Sequence, residues 1–230
     1  HLPVYVGADT LERLIRFCRE RGLSRLTLVA DGNTYAALGQ RAEAALKAAG
    51  LDAEAVILRG DDIGADAASV YQVLVGLDKG ARTFVATGSG TVTDVTRFVS
   101  HRADRLYAIV ATAPSMDGYA SAVAALTVGQ MKQTMQARGA AAILADPAVL
   151  AACPQIMIAA GLGDILGKYS AISDWRLGSL VESEYYCADV AKLVLDTAET
   201  CRQAAPQAAT RDEKAVTGIF EGLIMTGIAM

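Results

Sequence analysis

The sequence predicts an α/β fold, a parallel sheet covered by helices on both faces and followed by an all-helical region. Three observations carry that expectation. Short β-rich runs alternate with amphipathic helical patterns through the first half of the chain. Segments rich in glycine and hydroxyl groups follow three of the apolar runs, at residues 31–34, 88–91 and 112–121. Beyond Pro147 the pattern becomes that of long helices, with no strand-like run between them.

In chain order, Asp9-Thr-Leu-Glu12 reads as a capping box that starts a helix. Leu11, Leu14, Ile15 and Cys18 share its apolar face, and Gly22 stops it. Residues 26–30 form a short apolar strand, 35–49 an alanine-rich helix ending at Gly50, and 55–58 the next strand. Asp66 can cap a helix whose apolar stripe is Val70, Leu74 and Leu77. Two further strands, 83–86 and 106–110, flank a helix beginning near Thr91. Strands alternating with helices at this spacing argue for parallel pairing. Residues 126–145 are expected to form a hairpin with 127–128 and 142–144 as its arms. Asp146-Pro147 punctuates the chain and divides residues 1–147 from 148–230. The second part should hold helices at 155–177, 182–204 and 212–230, with Asp174-Trp175 anchoring a helix end in the core.

Composition narrows the function. At 230 residues, 53% hydrophobic and 20% charged, the chain can bury a substantial core. A formal net charge of -4 offers no general attraction to a polyanion, so neither nucleic acid nor an anionic membrane is an expected partner. Cys18, Cys153, Cys187 and Cys201 form no CxxC pair and read as buried free thiols in a reducing cytoplasm. No signal peptide opens the chain, and every apolar stretch is broken well before the about 20 residues that a membrane span needs. The sequence begins with His1 rather than Met, which leaves room for native residues before it.

The chemistry sits in the punctuating segments. Thr83-Phe-Val-Ala-Thr-Gly-Ser-Gly-Thr-Val-Thr-Asp94 reads as strand, tight turn and helix start. Glycines there allow positive φ and close backbone approach, and a helix N-terminus behind the turn presents unpaired N–H groups to a phosphate. The turn matches neither GxGxxG nor a P-loop. Asp31-Gly-Asn-Thr34, after the first apolar strand, offers a carboxylate that can accept from a ribose hydroxyl and repel a 2′-phosphate. It would equally form an Asx turn capping the next helix. Thr112, Ser115 and Ser121 bring hydroxyls, and Asp117 a carboxylate, to another strand end, where open α/β sheets place their ligands. Asp164 lies among glycines and apolar residues, where a charge needs a partner. A metal, a helix cap or an i,i+4 ion pair with Lys168 would supply one.

In this order the motifs resemble the sn-glycerol-1-phosphate dehydrogenase family, within the superfamily of metal-dependent glycerol dehydrogenases, iron-type alcohol dehydrogenases and dehydroquinate synthases. The residues that carry the resemblance are Asp31-Gly-Asn-Thr-Tyr35, Gly88-Ser-Gly90 with Asp94, Thr112-Ala-Pro-Ser115-Met-Asp117-Gly118 with Ser121, Asp146-Pro147, and Gly161-Leu-Gly-Asp164 with Asp174-Trp175. The resemblance implies a Rossmann-like dinucleotide domain over 1–147 and a helical metal and substrate domain, incomplete, over 148–230. It implies that Gly88, Ser89 and Gly90 cradle a pyrophosphate, with Asp94 close by, and that Asp31 holds the adenosine ribose. Thr112, Ser115 and Ser121 would line the adenine and nicotinamide side, and Asp117 would orient the substrate. Asp164 would be the first ligand of a divalent metal, zinc or nickel, which polarises a carbonyl while NAD(P)H delivers hydride. The implied reaction reduces dihydroxyacetone phosphate, a small phosphorylated substrate, to sn-glycerol 1-phosphate in a cytoplasmic homo-oligomer.

Two departures stand out. Gly-Ser-Gly replaces the family's Gly-Gly-Gly, and the family's two histidine ligands fall after Met230. The only histidines, His1 and His101, precede Asp164, so the chain reads as a fragment. It is expected to bind NAD(H) weakly and to show no dehydrogenase activity even with added metal. A polyol dehydrogenase, a dehydroquinate-synthase-like enzyme and a non-catalytic nucleotide-binding module are the alternatives.

Overall fold

The computed structural model describes residues 2–78, 80 and 82–229; His1 and Met230 lie outside them. A six-stranded parallel sheet runs in the order β1(Val4–Val6), β8(Ile143–Ala145), β5(Tyr107–Ala111), β4(Thr83–Gly88), β2(Arg25–Asp31) and β3(Asp52–Leu58). Successive side chains of a strand point to opposite faces, and here both faces are buried. In β5, Ala108 and Val110 enter one apolar cluster while Ile109 and Ala111 enter the other. The first cluster is closed by Leu14, Phe17 and Cys18 of α1(Thr10–Glu20) and by Ala42 and Leu46 of α3(Gln40–Ala48). The second is closed by Val73 of α4(Ala67–Val75), by Val92, Val95 and Val99 of α5(Gly90–Arg102), and by the helices after Pro147. Gly22 and Gly50, with φ of +65° and +81°, end α1 and α3 in the left-handed region that favours glycine.

The sheet order positions the site. From β2 the chain moves outward to β3, then returns to β4 on the other side of β2. The helices that follow β2 and β4 therefore pack on opposite faces and diverge, which opens a crevice at the carboxyl ends of those strands.

Several elements differ from the sequence expectation. Asp9 is the N-cap residue of α1, but its carboxylate pairs with Arg13 at 2.7 Å and makes no capping bond. β1 escapes a periodicity search because it has only three residues, whereas the strand expected at 142–144 is present as β8. Residues 142–144 are not a hairpin arm, however, since Ile143 and Leu144 lie between β1 and β5 in the main sheet. The hairpin is formed by β6(Val123–Val128) and β7(Met131–Gln136). Gly129 and Gln130 both take positive φ at its turn, the conformation that suits a two-residue connection. The 35–49 helix begins earlier, with a turn at Gly32–Thr34 and a π-turn at Tyr35–Gly39 before α3. In α4 Val73 faces the core and Leu74 is exposed.

After Pro147 every assigned element among the described residues is helical: α6(Pro147–Ala152), α7(Gln155–Leu166), α8(Lys168–Glu182), α9(Ala188–Ala209) and α10(Glu213–Ile228). The expected 155–177 helix is two, interrupted at Gly167. The 182–204 helix starts at Ala188, because Ser183 adopts a left-handed conformation after α8. Asp174-Trp175 lies inside α8, with Asp174 exposed and Trp175 half-buried, its Nε1 donating to the Tyr185 carbonyl at 2.7 Å. Cys18, Cys153 and Cys201 are buried free thiols, whereas Cys187 is partly exposed. No helix among the described residues is long and apolar enough to cross a membrane.

Candidate active site

At the crevice lies a cleft of about 1020 Å³, lined from three strand ends at once. Asp31, Asn33, Thr34, Ala37 and Arg41 come from the segment after β2. Ser89, Gly90, Thr91, Val92 and Asp94 follow β4, and Thr112, Ala113, Ser115 and Met116 follow β5. The hairpin contributes Ala125, Thr127 and Lys132, and α6 and α7 close the remaining wall.

The glycine turn works differently from its sequence expectation. Neither Gly88 nor Gly90 takes positive φ. A Cβ on Gly88 would lie 2.6 Å from Cβ of Val92, so glycine is required there by the packing of α5 against β4. Gly88 itself does not line the cleft. Ser89 is the N-cap residue of α5, yet its hydroxyl makes no capping bond. Its Oγ hydrogen-bonds Oγ of Ser115 and lies 3.3 Å from the Tyr119 hydroxyl oxygen. The first N–H groups of a 13-residue helix therefore face the cleft without a side-chain acceptor, the arrangement that binds a phosphate.

Asp31 serves its own turn and the cleft together. Its Oδ1 accepts from the Thr34 amide at 2.8 Å, while Thr34 Oγ1 accepts from the Asp31 amide at 3.0 Å. That reciprocal cap fixes the carboxylate at the cleft wall. Thr112 is buried, and its amide donates to the Gly88 carbonyl at 3.2 Å, joining the ends of β4 and β5. Ser121 stands apart from the cleft: its Oγ accepts from the Val123 amide at 3.0 Å and shapes the entry to the hairpin.

Asp94 is largely buried and pairs at 2.7 Å with Arg97, whose side chain is fully buried. Burial raises the Asp94 carboxyl to about 6 against the opposing pull of the Arg97 guanidinium. Arg97 also donates to the Tyr107 hydroxyl at 2.7 Å, to the Val123 carbonyl at 2.9 Å and to the Gly118 carbonyl. It thereby ties the 118–120 turn and the hairpin to α5. The sequence reading overlooked Arg97 and Tyr119. The i,i+3 spacing of Asp94 and Arg97, the two charged residues in the first ten of α5, was the available signal for the first. Tyr119 donates to the Ala113 carbonyl at 2.5 Å, and burial pushes its hydroxyl up to about 12, so it acts as a fixed donor.

Asp117, Asp164 and Lys168 form a second cluster beside Met116. The Asp117 amide donates to Asp164 Oδ2 at 2.8 Å. The buried Lys168 ammonium pairs with Asp117 Oδ2 and stands 3.6 Å from Asp164 Oδ1. Two glycines let the helical region press onto this loop. A Cβ on Gly161 would fall 1.8 Å from the Pro114 carbonyl oxygen, and one on Gly227 would fall 2.2 Å from that of Asp117.

Asp164 is the one carboxylate that the resemblance assigns to a metal, and it lies within this cluster. The described residues gather no group of three His, Cys, Asp or Glu side chains, and both carboxylates of the cluster already face an ammonium. His101 lies in the last turn of α5, outside the cluster. Asp164, expected as a metal ligand, stands here beside the Lys168 ammonium and accepts from the Asp117 amide.

A model of the iron-containing alcohol dehydrogenase family matches residues 5–154. A glycerol-1-phosphate dehydrogenase (NAD(P)+) from Halalkalibacterium halodurans is 34% identical over 228 residues, which cover 98% of this chain and 57% of that protein. One of the same name from Methanothrix thermoacetophila is 32% identical over 228 residues, covering 99% and 64%. Among solved structures, the iron-containing alcohol dehydrogenase of Thermococcus thioreducens superposes with a TM-score of 0.80 at 17% identity, covering 99% of this chain and 65% of that one. The glycerol dehydrogenase of Schizosaccharomyces pombe gives 0.77 at 15% identity, covering 99% and 60%. These structures share the fold. The chain spans less than two thirds of the length of all four.

Proposed function

The chain belongs to the iron-containing alcohol dehydrogenase family, and from that premise we propose that its cleft binds NAD(H) or NADP(H) for the reduction of dihydroxyacetone phosphate to sn-glycerol 1-phosphate. The observation that carries the nucleotide part is the convergence of Asp31, the Ser89–Gly90 helix start and Ser115 on one cleft at the carboxyl ends of three parallel strands. The ribose would sit at Asp31, and the pyrophosphate would sit on the unpaired N–H groups of α5. The names of the relatives support the substrate.

A bound NAD(P)H would supply hydride for the carbonyl carbon, with a proton from solvent for the carbonyl oxygen. In this account the chain binds and orients the reactants. Tyr119 and Ser115 hold Ser89 in place, and Gly161 and Gly227 seat the 112–118 loop so that Asp117 and Lys168 adjoin the Met116 end of the cleft. No step is assigned to a metal. The protein is expected to act in the cytoplasm as a homo-oligomer.

The test is NADH oxidation by the complete gene product with dihydroxyacetone phosphate or glycerone. Turnover with the phosphorylated ketone alone supports the proposal. Turnover with glycerone at equal kcat/KM would favour a polyol dehydrogenase, and nucleotide binding without any turnover would favour a binding module.

A further inference from the structure

We propose that Arg41 is the cofactor-specificity residue of the cleft, a cation that accepts a phosphate ester on the 2′ position of the ribose held at Asp31. The inference rests on the nucleotide part of the proposed function and goes beyond it, because it identifies how one cleft could take both cofactor classes. Asp31 and Arg41 line the same cleft, with Asn33, Thr34 and Ala37 between them in sequence, and α3 carries Arg41 away from the fixed cap at Asp31. Arg41 is exposed and lines that space, and it forms no ion pair with another described residue. The acid nearest to it on its own helix, Glu43, is taken by Lys47 at 2.6 Å and by the Tyr35 hydroxyl at 2.7 Å. The other cation that lines the cleft, Lys132, comes from β7 and shares its wall with Asp94.

The chemistry follows from the two charges. An ionised carboxylate at a ribose edge accepts from the 2′-hydroxyl and disfavours a 2′-phosphate, whereas an arginine nearby accommodates that phosphate. A guanidinium offers paired donors that match phosphate oxygens. With both groups lining one cleft, the hydroxyl form uses Asp31 and the phosphorylated form uses Arg41.

Calorimetric titration of the chain with adenosine 2′,5′-bisphosphate and with adenosine 5′-monophosphate separates the possibilities. Arg41→Ala should weaken the bisphosphate by roughly tenfold and change the monophosphate less than about twofold. Arg41→Lys should recover part of the loss, because it restores charge without the planar fork. Equal weakening of both ligands, or an unchanged bisphosphate affinity, would overturn the assignment while leaving the nucleotide site intact. Failure of the natively folded wild type to bind either ligand would overturn the nucleotide site and the assignment with it.

Discussion

Gly161→Ala should destabilise the protein although alanine is the better helix former. The residue lies in α7, where replacing glycine by alanine would otherwise gain about 1 kcal/mol. The new Cβ would stand 1.8 Å from the Pro114 carbonyl oxygen and 3.0 Å from Cδ1 of Leu223. The first contact is with backbone, and Leu223 of α10 obstructs retreat, so helix and loop must separate by more than 1 Å, at a cost of about 1–3 kcal/mol. The loop that moves carries Ser115, Met116 and Asp117, so nucleotide affinity should fall together with stability. Gly163→Ala is the internal control, because that glycine lies on the exposed side of the same helix with nothing within 4 Å of its Cβ position. Urea unfolding of both variants, read by circular dichroism, gives the signs: a loss for Gly161→Ala and a gain of up to about 1 kcal/mol for Gly163→Ala. Equal gains at the two positions would refute the proposed close approach of α7 to the cleft loop.

Asp31→Ala should narrow the preference for NADH over NADPH, read from fluorescence titrations of both, and an unchanged ratio would reduce Asp31 to a turn former. Asp94 gives a pH signature. A carboxyl raised to about 6 binds its proton more tightly in the folded state, so the stability it lends is full below about pH 4 and is lost as pH rises through 6. Asp94→Asn should therefore gain stability relative to wild type between pH 4 and 7, by at most about 3 kcal/mol, and a pH-independent difference in denaturation midpoints would contradict this. Zinc or nickel added to the chain should be lost on dialysis, and Asp164→Asn should cost about 1–2 kcal/mol by leaving Lys168 one carboxylate fewer. Stoichiometric metal retained by wild type and lost in the variant would show that Asp164 leaves Lys168 for the ion.

The alternation of strand and helix was legible because the middle strands are buried on both faces and read as apolar runs ending in turn residues. β1 was not, since three residues show no period, and its pairing with β8 joins positions about 140 apart in sequence. The hairpin was shifted for the same reason: Ile143-Leu144 looks like any apolar strand, and only the main sheet decides its partner. At the site, Asp31, Ser89, Gly90, Thr112 and Ser115 were findable from their places just after apolar runs. Ser121 was grouped with them by proximity in sequence, but the turn at Gly118–Ala120 carries it away from the cleft. The fit of Gly161 and Gly227 against the loop is a tertiary contact that no local pattern encodes.

The most direct test of the account is the seat of the pyrophosphate. Titration of the isotopically labelled chain with ADP-ribose, followed by backbone amide shifts, should show one saturable event with its largest changes at Ser89, Gly90 and Thr91, where α5 begins. No saturable change in a folded chain, or changes centred on α8 away from the strand ends, would contradict the assignment of this cleft to a dinucleotide.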